Sequence, residues 1–207
     1  MGAPSGEFLL RRLHSLTGIF PIGVFLLEHF YTNAKAQYGP EAFDRATAEI
    51  QGIPYLWAAE VVLIALPLLF HGIYGLVITY EGDLLRPAPG ARTRYRALAY
   101  LLQRLTWVAL LVFIALHVWK TRVQWALGGP VPDYAYMKAY LAPGAVRAFY
   151  VVGVLCACYH LANGLFNFAT KWGITVSARS QERLVAASVA VFLGMSAVGI
   201  HIVYSFR

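Results

Sequence analysis

Charge is what this 207-residue sequence has least of. Lysine, arginine, aspartate and glutamate together make up 13% of it, against roughly 25% in a soluble domain of ordinary composition. With 59% hydrophobic residues and a mean hydropathy of +0.58, that scarcity excludes an ordinary water-soluble domain and points to a membrane protein. Cysteine is nearly missing. The only two, Cys156 and Cys158, lie in an apolar run two residues apart, which turns them to different faces of a helix and supports neither a disulfide nor a zinc site. Repeats and linkers are lacking, as is any stretch polar enough for a separate soluble domain. The formal charge of +7 comes from basic residues that flank apolar segments, so it speaks for membrane topology rather than nucleic-acid binding.

What is abundant is long apolar runs. Five are long enough to cross a hydrocarbon core of about 30 Å as helices of about 20 residues. They are predicted near 13–31, 56–80, 101–127, 145–170 and 184–204, giving an all-α membrane protein with a single domain over 1–207. Polar or Gly/Pro stretches separate them: 33–54, the charged turn at 86–90 and Gly128-Gly129-Pro130. Pro67 falls inside the second run, where a membrane helix tolerates it with a local kink. Aromatics reach 14%, with 5 Trp and 13 Tyr, as two interfacial belts require. The first run is long and carries Glu28 and His29, so it reads as a retained span rather than a cleaved leader. The five arginines between 86 and 104 mark the connection of the second and third spans as cytoplasmic, which puts the N-terminus inside and the C-terminus outside.

Six histidines occur, and His29, His71, His117 and His160 fall well within the first four spans, one on each. A charged side chain in hydrocarbon costs about 2–3 kcal/mol or more, so such residues usually face the bundle interior and have a partner or a task. Counting about 1.5 Å per residue, His71 and His160 lie roughly 23 Å from the outer ends of their spans, whereas His29 and His117 lie near the outer ends of theirs. The four therefore sort into an inner pair on spans two and four and an outer pair on spans one and three. Two imidazoles facing each other across the first four helices suit bis-histidine ligation of haem iron. No Cys-x-x-Cys-His run is present, so the haem is non-covalent, of b type. Gly75 and Gly164 follow the inner histidines by four positions, on the same face, where a glycine permits a macrocycle or a neighbouring helix to come close. A proton pathway usually adds intramembrane carboxylates, and only Glu28 and Glu60 lie inside spans. His14 and His201 are placed at the interfaces. His14, beside Arg11, Arg12 and Ser15, is a candidate to face a cytoplasmic partner or a quinone headgroup.

The stretch Arg11-Arg12-Leu13-His14-Ser15-Leu16-Thr17-Gly18 through Glu28-His29 resembles the opening of the cytochrome b subunits of succinate dehydrogenases, in the single-chain, di-haem, five-helix form of menaquinone-using bacteria. His71-Gly72-Ile73-Tyr74-Gly75, His117-Val118-Trp119-Lys120-Thr121-Arg122 and His160-Leu161-Ala162-Asn163-Gly164-Leu165 match the later segments in order and spacing, over nearly the whole chain. The resemblance implies a membrane anchor in the bacterial cell membrane that binds a flavoprotein and an iron–sulfur subunit on the cytoplasmic side. It implies two b haems, with iron held by His71 and His160 inside and by His29 and His117 outside, and electrons passing on to menaquinone. Succinate itself reacts on a partner chain. Quinol:fumarate reductases run the reverse reaction and are closely related. Some of them place a carboxylate two residues before the fourth ligand, where this sequence has Cys158. The competing readings are an anchor of a hydrogenase or formate dehydrogenase and a haem-free transporter. Lys120, Arg122 and Lys171 are candidates to pair with haem propionates, and Glu28, Tyr31 and Trp119 to line a quinone site. The arginines of 86–104 are candidates for docking the iron–sulfur partner.

Overall fold

A computed structural model of the chain describes residues 6–81 and 94–207. Arg86 and Arg92 lie outside the described residues, as does the side chain of Arg94. Among the described residues five helices are long and apolar enough to cross a membrane: Gly6–Tyr38, Leu56–Glu81, Tyr95–Ala126, Gly144–Lys171 and Ala178–Ser205. Several outrun the apolar stretches that reveal them, because apolarity marks only the part in hydrocarbon while the helix continues into the interface. The first begins at Gly6, and its added turn is held by Arg11, which bonds Glu7 one turn back at 2.8 Å and Glu81 at 2.5 Å.

The first span is two helices in sequence, α1 (Gly6–Ile19) and α2 (Ile22–Asn33), parted at Pro21, which has no N–H to donate. A 3₁₀ turn, Ala34–Tyr38, extends α2. A short helix then follows where the sequence predicts only a polar loop: α3 (Pro40–Gln51), opening with proline at its first position. The second span is α4 (Leu56–Glu81) and the third α5 (Tyr95–Ala126). Both contain a π-helical stretch, Glu60–Ala65 in α4 and Trp119–Val123 in α5. The one in α4 ends just before Pro67, whose missing N–H already interrupts the hydrogen-bond ladder. A second short helix, α6 (Tyr134–Leu141), has its N-terminus capped by Asp133, whose carboxylate accepts from the Tyr136 N–H at 2.8 Å. The last two spans are α7 (Gly144–Lys171) and α8 (Ala178–Ser205). Gly173, at φ +72°, stops α7 in the left-handed conformation that glycine adopts without strain.

In the membrane, α1 packs against α4 and α7, and α7 packs in turn against α5 and α8. A Cβ at Gly153 of α7 would run into the ring of Phe113 on α5, and one at Gly199 of α8 would meet Val154. Small residues thus set the closeness of these helices, as is usual where hydrocarbon supplies no hydrophobic drive between them. The best-buried cluster lies beyond the bundle, on the face opposite the N-terminus. Ala36, Phe43, Tyr134, Met137, Leu141, Val203 and Phe206 form it, joining α3, α6 and the end of α8 into a cap. Asp44 accepts from the backbone N–H of Tyr134 at 2.8 Å, and the Tyr134 hydroxyl donates to the Ser205 carbonyl at 2.9 Å.

Candidate functional site: paired histidines at two depths

The helices bring four histidines into two facing pairs. His71 of α4 and His160 of α7 lie toward the N-terminal face, with ring centroids 6.2 Å apart and planes at 82°. His29 of α2 and His117 of α5 lie toward the far face, 5.7 Å apart at 83°. These are the same two pairings that depth along the helices predicts. A metal bonded at about 2 Å to one nitrogen of each ring needs ring centres roughly 6 Å apart.

The near pair is held by second partners. Nδ1 of His71 lies 2.9 Å from the His14 backbone carbonyl. A carbonyl only accepts, so Nδ1 carries the hydrogen and Nε2 keeps its lone pair. Thr17 braces the same point, its hydroxyl donating to the His14 carbonyl at 3.0 Å. On His160, Nδ1 is 3.4 Å from Thr106 Oγ1, and the Thr106 hydroxyl already donates to the Leu102 carbonyl at 2.7 Å. Oγ1 is therefore left as acceptor, and Nε2 of His160 is again the free lone pair. Gln103 donates to the His160 carbonyl at 3.2 Å and accepts from Asn163 at 2.8 Å, tying α5 to α7 at this level. Partners that fix the tautomer and orient the ring are what metal-binding imidazoles require. In the far pair, His117 Nδ1 is 3.3 Å from the Tyr150 hydroxyl and His29 Nδ1 is 3.4 Å from Asn33 Nδ2.

His14, expected at the entrance of the first span, is packed against the near pair. Its ring stacks on His71, with centroids 4.1 Å apart and planes within 8°. A Cβ added at Gly75 would stand 3.1 Å from Trp107 Nε1 and 3.3 Å from His14 Nε2, so two polar nitrogens converge where only a glycine fits. A Cβ at Gly18 would come within 2.5 Å of His71 Cε1, and one at Gly164 would meet nothing within 4 Å. Sequence spacing singled out Gly75 and Gly164; nothing local marks Gly18, whose partner is on another helix. His201 is exposed, as its position near the end of the last span predicts.

The three cations proposed from sequence for an acidic group are not alike. Arg122 is forked onto Glu60, with Nε at 3.0 Å from both carboxylate oxygens and a terminal nitrogen 2.5 Å from one. Lys120 lines an open notch of about 600 Å³ at the far face together with Trp119, Gln124 and Tyr136. Lys171 sits at the near end of α7, beside Trp172, over which Arg12 stacks at 4.8 Å. Sequence reasoning missed two donors at the near level. Arg104 Nε and Trp107 Nε1, three residues apart and so on one face of α5, are buried and make no hydrogen bond among the described residues. The Arg104 guanidinium lies 3.7 Å over the ring of Tyr100. Buried unpaired donors are costly, and here they stand ready for an acceptor. The candidate quinone residues are scattered. Trp119 borders the notch, Tyr31 lines an apolar groove between α2 and α8 with Leu27 and Val198, and Glu28 is bonded to Thr32 at 2.5 Å. Cys158 is fully buried. Of the arginine cluster, Arg96 bonds Gln181 at 2.9 Å.

Fold and site together define a multi-pass helical membrane protein built around histidine pairs at two levels. The chain belongs to the family of succinate dehydrogenase/fumarate reductase transmembrane subunits, which it matches over residues 83–200, and it is accordingly a subunit of an oxidoreductase complex. It is also similar to the succinate dehydrogenase cytochrome b558 subunit of Bacillus subtilis (strain 168), with 38% identity over 200 residues that cover 97% of each chain. No solved structure matches it.

Proposed function

We propose that this chain is the membrane anchor and electron-transfer subunit of a succinate:quinone oxidoreductase, with His71 and His160 holding one b haem and His29 and His117 a second. The observation that carries this reading is the pair of imidazole couples, 6.2 Å and 5.7 Å apart at two depths, each set across two helices. The cytochrome b character of the similar Bacillus subtilis subunit supports haem as the group concerned. The donor set fits it. Two free Nε2 lone pairs face each other at the near level, and the unpaired Arg104 Nε and Trp107 Nε1 suit the acidic edge of such a group.

When bound, the two haems supply one-electron transfer between an iron–sulfur partner and menaquinone. The chain's own contributions are positional. The His14 carbonyl and Thr106 fix which nitrogen of each near histidine is offered, and the helix spacing set at Gly153 and Gly18 keeps the pairs in register. We take the N-terminal face as cytoplasmic in a bacterial plasma membrane, with the flavoprotein and iron–sulfur subunits docked there. The basic residues Arg11, Arg12, Arg104 and Lys171 near that face support this orientation. The notch at Trp119, Lys120, Gln124 and Tyr136 is the best candidate for the quinone headgroup, because it opens within a turn of His117 and carries hydrogen-bonding side chains.

The test is haem per polypeptide and the reduced-minus-oxidised spectrum of the purified complex, repeated for His71→Ala and His117→Ala. Two low-spin b haems in the parent and one in each variant are expected. A parent that carries no haem, or variants that each keep both, would overturn the reading.

A further inference from the structure

The Glu60–Arg122 pair lies outside both histidine couples, yet its setting ties it to the far one. Arg122 follows His117 by five residues, about 1.4 turns of a regular α-helix, which would swing it well away from His117. Those residues include the π-helical Trp119–Val123, whose i→i+5 bonds widen the turn and bring position 122 closer to the line of position 117 than a regular helix would. Side chains supply the hydrogen bonds that such a turn leaves open: Thr121 donates to the His117 carbonyl at 2.8 Å and Tyr136 to the Lys120 carbonyl at 3.1 Å. Glu60 opens the π-helical stretch of α4, and that stretch packs against α2, the helix of His29. Two irregular turns on different helices thus aim a carboxylate and a guanidinium at each other about one helical turn beyond the His29–His117 couple. The guanidinium is further held by Trp125, whose ring lies 4.9 Å below it. π-Helical turns are rare in helices and cluster at functional sites.

We propose that Glu60 and Arg122 form a locked charge pair in which each charge offsets the other's effect on the reduction potential of the far haem site. The inference rests on the haem assignment to His29 and His117. A nearby carboxylate favours the more positive, oxidised state of a metal centre and a guanidinium favours the reduced state. Arg122 and Glu60 are 38% and 27% exposed, a setting in which such effects still reach several ångströms but with partial screening. Because the two charges are fixed side by side, they largely cancel, and either one left alone exposes its full effect. Glu60 and Arg122 are positioning residues here; neither touches the metal.

The experiment is a redox titration of the intact purified complex, following each haem by its absorbance. Glu60→Gln should raise the potential of the far haem and Arg122→Gln should lower it, each by a tenfold change in the reduction equilibrium or more, equivalent to about 59 mV for one electron. The double variant should return close to the parent, and Arg122→Lys, which keeps the charge, should stay near it. The near haem should hold its potential throughout. Far-haem potentials that ignore both single substitutions, or that move in the same direction for both, would overturn the proposal and leave the pair a helix-to-helix clamp. Loss of the far haem in the Gln variants with an unmoved potential in Arg122→Lys and a shifted one in Glu60→Asp would overturn it too, since geometry rather than charge would then be what matters. A parent complex without haem sinks the functional reading itself, a result recognisable before any variant is made.

Discussion

His71 and His160 are alike as residues but are oriented by different means. His71 depends on a main-chain carbonyl of another helix, at 2.9 Å, and His160 on a threonine hydroxyl at 3.4 Å. A main-chain acceptor cannot be removed by substitution, so the way to disturb His71 is to displace it. Gly18→Ala places a methyl 2.5 Å from His71 Cε1, closer than atoms pack. The near haem should be lost or become high-spin, while the far haem keeps its spectrum. Thr106→Val keeps the shape and removes the acceptor. The contact with His160 is lost together with the hydroxyl's own bond to the Leu102 carbonyl, at about 1 kcal/mol per hydrogen bond, and a second partner of a metal-bound histidine typically governs 10–100-fold in affinity. The near haem should therefore bind more weakly and shift its spectrum, with the fold intact. Equal effects of either change on both haems would show that the two levels are not independent.

At the level of the helix, periodicity and composition went a long way. Five apolar runs became five membrane-length helices, and histidine depth grouped the four imidazoles as the helices do. Two kinds of element were not legible. The short helices α3 and α6 lie in stretches too polar and too brief to announce themselves, and both are stabilised by partners far off in the chain: Asp44 with Tyr134, and Phe43 with Phe206, whose rings lie 5.1 Å apart. The π-helical turns were equally hidden, because runs that are apolar on every side have no polar face whose rotation could reveal an extra residue in a turn. A kink is expected at Pro67, and the second span carries its π-helical stretch just ahead of that residue. The stacking of His14 on His71 was hidden for a related reason. Its ring is recruited by His71 from another helix, while its neighbours Arg11 and Arg12 are what an interface looks like in sequence. The cap yields a prediction of its own. Phe43 is 3% exposed, and Phe43→Ala should cost about 3–5 kcal/mol, read as a lower unfolding temperature in detergent. The spectrum of the near haem should change last on heating.

Taken whole, the molecule gathers a buried cluster at the far ends of its helices and leaves large apolar side chains such as Leu63, Leu69 and Leu193 uncovered along its spans, where lipid covers them. Its two faces differ accordingly, with one made of helix ends rich in arginine and lysine and the other closed by folded structure. That difference supports the proposed orientation. With cysteine introduced singly at Lys35 and at Arg179, a membrane-impermeant thiol reagent added to intact cells should label position 35 and spare position 179; the reverse pattern would invert the topology and the docking face with it. The cap also dictates an order of events during synthesis. Its pieces come from the connection after the first span, the connection after the third, and the last residues of the chain, where the Ser205 carbonyl receives the Tyr134 hydroxyl. Asp44 and Tyr134 can pair once α6 is made, but the cap is complete only when the fifth span has delivered Ser205 and Phe206, so it closes last. A chain inserted with one span missing cannot complete it, and leaves Phe43 and Tyr134 without the Phe206 ring that packs on both.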